Sequence, residues 1–101
     1  MEDITIYQGN TGTIRATIKS GLSDTTGYTG HLIVRKSAAD TENIIDLSTN
    51  NWDASTALFP FTSIDSSVNK GKYVDEFYVS SSENIFTVGI GVCWIVDTLS
   101  K

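Results

Sequence analysis

Nucleophilic catalysis needs a nucleophile with a base held against it, and this sequence offers few ways to assemble one. It contains a single histidine, His31, and a single cysteine, Cys93. His31 lies in TGHLIVR, where it shares an outward parity with Ile33 and Arg35. Cys93 lies in IFTVGIGVCWIV, a stretch without charge in which a thiol is buried and inert. The two form a dyad only by a coincidence of folding. Serines are plentiful, but only one histidine exists to activate them. Carboxylate pairs are no better placed: Asp75 and Glu76 are adjacent, and neighbours on a strand point to opposite faces. Asp75 also falls on the core-side parity with Tyr73 and Phe77, an oddity that a position near a sheet end, with solvent or a hydrogen-bond partner in reach, would explain. No HExxH, calcium-loop, GxGxxG or GxxxxGK[ST] pattern occurs. One cysteine permits neither an intrachain disulfide nor a cysteine-rich metal site. The expectation is a protein with no catalytic residue, no cofactor and no metal.

What remains is surface. Trp52, in TNNWDAST, stands in a polar stretch where nothing local explains an indole. Tryptophan is enriched at binding hot spots, and it also serves as a lid over the open end of a sandwich, since large aromatics are usually well buried. Ile33 is a second contact candidate on its outward parity. The net charge of −5 comes from 12 acidic and 7 scattered basic residues. Such a surface repels phosphate, which argues against nucleic acid as a partner. The opening MEDITIYQG lacks a basic region followed by an apolar run, so the reading is synthesis without a signal peptide in a reducing cytoplasm.

The elements that must position these residues are strands. Ile4-Thr5-Ile6-Tyr7 alternates, and Gly9-Asn10 marks a turn. Ile14, Ala16 and Ile18 share one face; after a turn-rich stretch from Ser20 to Gly27, so do Tyr28, Gly30, Leu32 and Val34. This period of two excludes a helix. A short strand over Asn43 to Leu47, a polar loop from Ser48 to Ser55, and an alternating face of Ala57, Phe59 and Phe61 follow. Pro60 cannot donate to a ladder, so its strand is an edge or is paired on one side there. Ser63 to Lys70 could hold one helical turn, Lys72 to Val79 is a strand, and Ser80 to Asn84 is a hairpin loop. At 101 residues the chain is expected to be one domain, residues 1–101: an all-β sandwich or small barrel of six or seven strands.

The uncharged stretch from Ile85 to Val96 is too short for a membrane span: as a helix, twelve residues reach about 18 Å against a hydrocarbon core of about 30 Å. As a strand it sorts into two faces. Phe86, Val88, Ile90, Val92, Trp94 and Val96 are all large and apolar, and are assigned to the core. Ile85, Thr87, Gly89, Gly91, Cys93 and Ile95 make the opposite face. Gly89 and Gly91 mark either a bulge that bends a long strand or a flat patch on which a neighbouring subunit packs, and Ile95 extends that patch.

Three segments resemble a known family. They are ITIYQGNT at Ile4, TGYTGHLIVRK at Thr26 and NKGKYVDEF at Asn69. In this order they are similar to the immunoglobulin-like domain of tailed-phage structural proteins, such as the N-terminal domain of baseplate upper proteins. That family opens on an I-x-I-Y-x-G-D strand, continues through a strand ending V-R-K, and has a late G-x-Y-x-Y-D strand. Asp75 stands where the family has its second tyrosine, and the last strand lacks the family's G-x-F-x-V ending. The resemblance implies an immunoglobulin-like antiparallel β-sandwich of about seven strands. It also implies a virion location and a binding and assembly role without catalysis, with other virion proteins as partners and self-association as a further option. A free-standing domain of this kind suggests a capsid-surface decoration; a tail, baseplate or fibre adaptor is the alternative. A carbohydrate- or receptor-binding module using Trp52 is the reading from another class.

Overall fold

Alternation of large apolar and polar side chains over four to twelve residues, broken by glycine, asparagine and serine, leaves this chain one way to hide its apolar half: strands laid in sheets, with one face turned in. The computed structural model describes residues 3–18, 25–62 and 68–97. The start of the turn-rich stretch at Ser20 and the helical turn expected from Ser63 lie outside them. Eight strands result: β1 (Ile4–Tyr7), β2 (Gly12–Thr17), β3 (Thr29–Arg35), β4 (Ile45–Thr49), β5 (Trp52–Asp53), β6 (Thr56–Phe61), β7 (Gly71–Ser80) and β8 (Ile85–Val96). They form a five-stranded sheet in the order β1-β8-β7-β3-β4 and a three-stranded sheet in the order β2-β6-β5. The two sheets share one core, so the protein is an all-β sandwich. No helix occurs among the described residues.

The expected faces of most strands hold. Ile14, Ala16 and Ile18, then Leu32 and Val34, then Ala57 and Phe59, then Tyr73, Phe77 and Val79, are all buried. The sheets meet where the rings of Phe59 and Phe77 pack edge to face at 5.9 Å, the geometry that ring quadrupoles favour. The proline reading also holds. Pro60 pairs with Thr13 of β2, whereas β5 reaches β6 only at Thr56 and Ala57. The missing N–H therefore faces no ladder partner among the described residues.

Two departures need a reason. The loop expected from Ser48 to Ser55 contains β5, which pairs Trp52 with Ala57 and Asp53 with Thr56. Ala54 turns the chain there at φ 55°, a positive φ of the kind tight hairpins use, and alanine does not advertise it in sequence. The sandwich is also not wholly antiparallel: β1 runs parallel to β8, from Ile4 opposite Cys93 to Tyr7 opposite Val96.

Gly30 is set where the two sheets approach each other closely. A β-carbon built there would meet the Ala57 Cβ and the Phe59 Cζ, each at 3.2 Å. Both belong to fully buried side chains with little room to move. Gly30→Ala is therefore expected to lower stability by about 1–3 kcal/mol, as overpacking does; urea denaturation with an unchanged m-value would show it.

Candidate functional site

The outward face of the five-stranded sheet carries most of the protein's unspent apolar surface. Among the described residues, the exposed large hydrophobic side chains are Tyr7, Ile85, Phe86, Ile90 and Trp94. Four of these stand on β8, and Tyr7 sits beside Val96 of β8 across the parallel pair. From Ile90 to Val96 the stretch therefore faces the opposite way from the sequence expectation, whereas Phe86 stands opposite the inward Val79 and Val88 packs against the core, as expected. Cys93 and Ile95 are the buried residues, at 0% and 2% exposure, while Ile90 is 65% and Trp94 40% exposed. The cause is twofold. A register shift in the β7–β8 pair leaves Val88 as an extra residue, since Phe77 pairs with Gly89 but Tyr78 pairs with Thr87. A bulge of this kind inverts side-chain parity part-way along a strand, so no single face runs through all twelve residues. Beyond it, the inward side of β8 lies beside the bulky Phe77 of β7, and small residues fit there.

The corrected faces move the sequence-level candidates apart. Ile95, offered as a contact, is core and presents nothing to a partner. Gly91 and Gly89 lie on the inward side of β8, opposite Asp75 and Phe77, and the bulge they signalled falls next to Gly89. Ile33 does lie on the outer face, opposite Glu76 and Asp46, yet only 9% of it is exposed. Trp52 is half-buried against the core, and its indole N–H donates to the Tyr28 carbonyl at 3.1 Å. Its polar handle is thus used internally.

The outer face divides into two halves. Around β3 and β7 it is polar and braced. His31 stacks on Tyr78 at 4.5 Å, its Nε2 shares a 2.8 Å hydrogen bond with the Ser80 hydroxyl, and the Thr87 hydroxyl donates to Glu76 at 2.9 Å. The His31–Ser80 pair is the only histidine–hydroxyl contact of this face among the described residues. No carboxylate is hydrogen-bonded to the other ring nitrogen among the described residues, so the orienting third group of a triad is missing. His31 and Cys93 occupy opposite faces of the sheet, since His31 pairs with the outward Tyr78 and Cys93 with the inward Tyr73. The other half, around β8 and β1, is apolar: Tyr7, Val92, Trp94, Val96 and the neighbouring Val74. Lys72 Nζ sits 5.7 Å from the Trp94 ring centre, leaving one edge of the patch cationic.

Asp75 is the unexpected feature inside. It is not near a sheet end: it sits mid-strand in β7, 2% exposed, and neither carboxylate oxygen has a hydrogen-bond partner among the described residues. Burial pushes its pKa from 3.8 up to about 6, and the charge of Asp3 adds to the rise. The Gly91 backbone amide opposite pulls the other way, from a geometry that falls short of a hydrogen bond. Burial, reinforced by the Asp75 charge, holds the Cys93 thiol up at about 12. A thiol so far from ionisation is no nucleophile at neutral pH.

No protein-family model matches the chain, and no curated protein or solved structure matches it either.

Proposed function

We propose that this chain is a non-enzymatic structural component of a tailed-phage virion that works by binding other virion proteins, first as a capsid-surface decoration and alternatively as a tail, baseplate or fibre adaptor. The observation that carries the binding role is the apolar half of the outer sheet face, with Ile90 and Trp94 open to solvent along β8 and Tyr7 beside its end on β1. Large apolar side chains clustered this way on a small acidic domain mark an interaction surface. The virion assignment rests on the resemblance of the three segments.

The strand arrangement supports the immunoglobulin-like part of that resemblance. β8-β7-β3 facing β2-β6-β5 repeats the order of strands G-F-C facing B-E-D in immunoglobulin sandwiches. Tyr73, near the start of β7, donates its hydroxyl to the Asn69 carbonyl at 2.6 Å, the corner contact of that fold. Asp75 follows two residues later, at the place where such domains carry the second cysteine of the inter-sheet disulfide.

Quantitative mass spectrometry of purified particles, with heads and tails separated, tests the reading. Copies in the hundreds travelling with heads are expected for a decoration protein. A few to a few dozen travelling with tails would move the chain to a baseplate or fibre adaptor. Absence from both fractions would overturn the virion reading.

A further inference from the structure

We propose that the open edge of β8 pairs with the same edge of a second copy of this chain, antiparallel, about a two-fold axis between Val88 and Gly89. The two five-stranded sheets would then join into one of ten strands. The inference rests on reading the chain as a protein-binding module, and is independent of where in a virion it sits.

β1 covers β8 only from Cys93 to Val96. Among the described residues no strand pairs with that side of β8 from Ile85 to Val92, so backbone N–H and C=O groups stand open along it. Proteins usually blunt such an edge with charge or with brevity. The other edges here follow that rule: Asp46 lies on β4, Arg15 on β2, Asp53 on the two-residue β5, and β1 has four residues. The open part of β8 has no charge at all.

Self-pairing fits this edge in register. An axis between Val88 and Gly89 sets Ile85 against Val92, Phe86 against Gly91 and Thr87 against Ile90 of the other copy. Antiparallel partners must lie on one face, and residues five apart on a regular strand do not. The bulge removes that conflict. Phe86 and Gly91 both sit opposite inward residues of β7, Val79 and Asp75; Thr87 and Ile90 both sit opposite outward ones, Tyr78 and Glu76. Each glycine then meets a large side chain, Phe86 over Gly91 and Val88 over Gly89, a pairing that compensates for glycine in a strand.

Charge opposes a second copy less along this edge than elsewhere. A chain of net charge −5 repels itself elsewhere, but this seam carries no charge. Across the seam the Glu76 carboxylates on each β7 would lie at least three strand spacings apart, about 14 Å, beyond a screening length of about 8 Å, and Asp3 and Glu83 flank only its ends. The seam is about 27 Å long at eight residues. An edge contact of that length buries less than the roughly 800 Å² per partner of a standard interface, so the dimer is expected to be in the micromolar range and concentration-dependent.

Sedimentation velocity from about 1 μM to about 300 μM should show the mass moving from 11.0 kDa toward twice that value. Ile90→Lys, at a site 65% exposed and so neutral to folding, should hold the chain monomeric with an unchanged circular dichroism spectrum. The register has its own readout. Thr87→Cys mixed with Ile90→Cys should give a disulfide-linked dimer under mild oxidation, and neither variant alone should do so. A chain monomeric throughout that range, with fast amide exchange from Ile85 to Val92, would overturn self-pairing and leave the edge to a strand of another protein. A dimer in which Ile90→Cys links efficiently to itself would overturn it in favour of face-to-face stacking. Neither result touches the particle experiment, whose failure would equally leave this dimer standing.

Discussion

Asp75→Asn is expected to raise the melting temperature at pH 7 by roughly 10 °C, from about 2 kcal/mol of added stability, and to change almost nothing at pH 4.5. The sign follows from linkage. Asp75 has its folded-state pKa raised from 3.8 to about 6 by burial, so the folded protein binds this proton more tightly than the unfolded chain does. The favourable contribution is complete below about pH 4 and is lost as pH rises through 6. The gap between the two values corresponds to about 3 kcal/mol, and at neutral pH the carboxylate is mostly ionised, with no hydrogen bond to either oxygen among the described residues. Asparagine removes the charge but keeps a buried amide in need of partners, so the gain is smaller than the full gap. Other carboxylates titrate in the same range, and the difference between wild type and variant cancels them. Thermal melts of both proteins from pH 4 to pH 8 check the expectation. A stability gain that is constant across that range would show that packing, not charge, is the cause. A loss at pH 7 would show that the carboxylate has a partner in solution.

The sequence made much of this legible because burial follows parity wherever a strand is regular. Ile14, Ala16 and Ile18 needed only their alternation, as did Leu32 and Val34, and Pro60 announced its one-sided pairing through the missing N–H. Three features escaped for physical reasons. β5 depends on Ala54 at positive φ, a conformation alanine rarely adopts and therefore does not signal. The depth of Asp75 follows from what packs over the middle of β7, which no local pattern contains. Its parity pointed inward, but a carboxylate argues for an escape to solvent that the fold does not provide. The outer face of β8 escaped because bulk and apolarity alone do not decide burial. Side chains on one strand are sorted by the volume left by their neighbours as well as by their own apolarity.

That last point has a sharp consequence in two adjacent residues. Ile95→Ala should cost about 2–5 kcal/mol, the range for truncating a buried aliphatic side chain without collapse of the cavity, a large share of the 5–15 kcal/mol that holds a small domain folded. Trp94→Ala, which removes a far larger side chain, should cost less, about 1–2 kcal/mol, because the indole is 40% exposed on the outer face, where its removal leaves no closed cavity. Ranking by size and apolarity alone gives the reverse order, so chemical denaturation of the two variants reads the orientation of β8 directly. The same pair separates folding from binding. If the outer face is where partners dock, Trp94→Ala leaves a stable domain with weakened association, whereas Ile95→Ala leaves association per folded molecule unchanged. A Trp94→Ala protein that unfolds as easily as Ile95→Ala would mean that the indole is covered in solution. The proposed docking face would then have to be sought elsewhere on the sandwich.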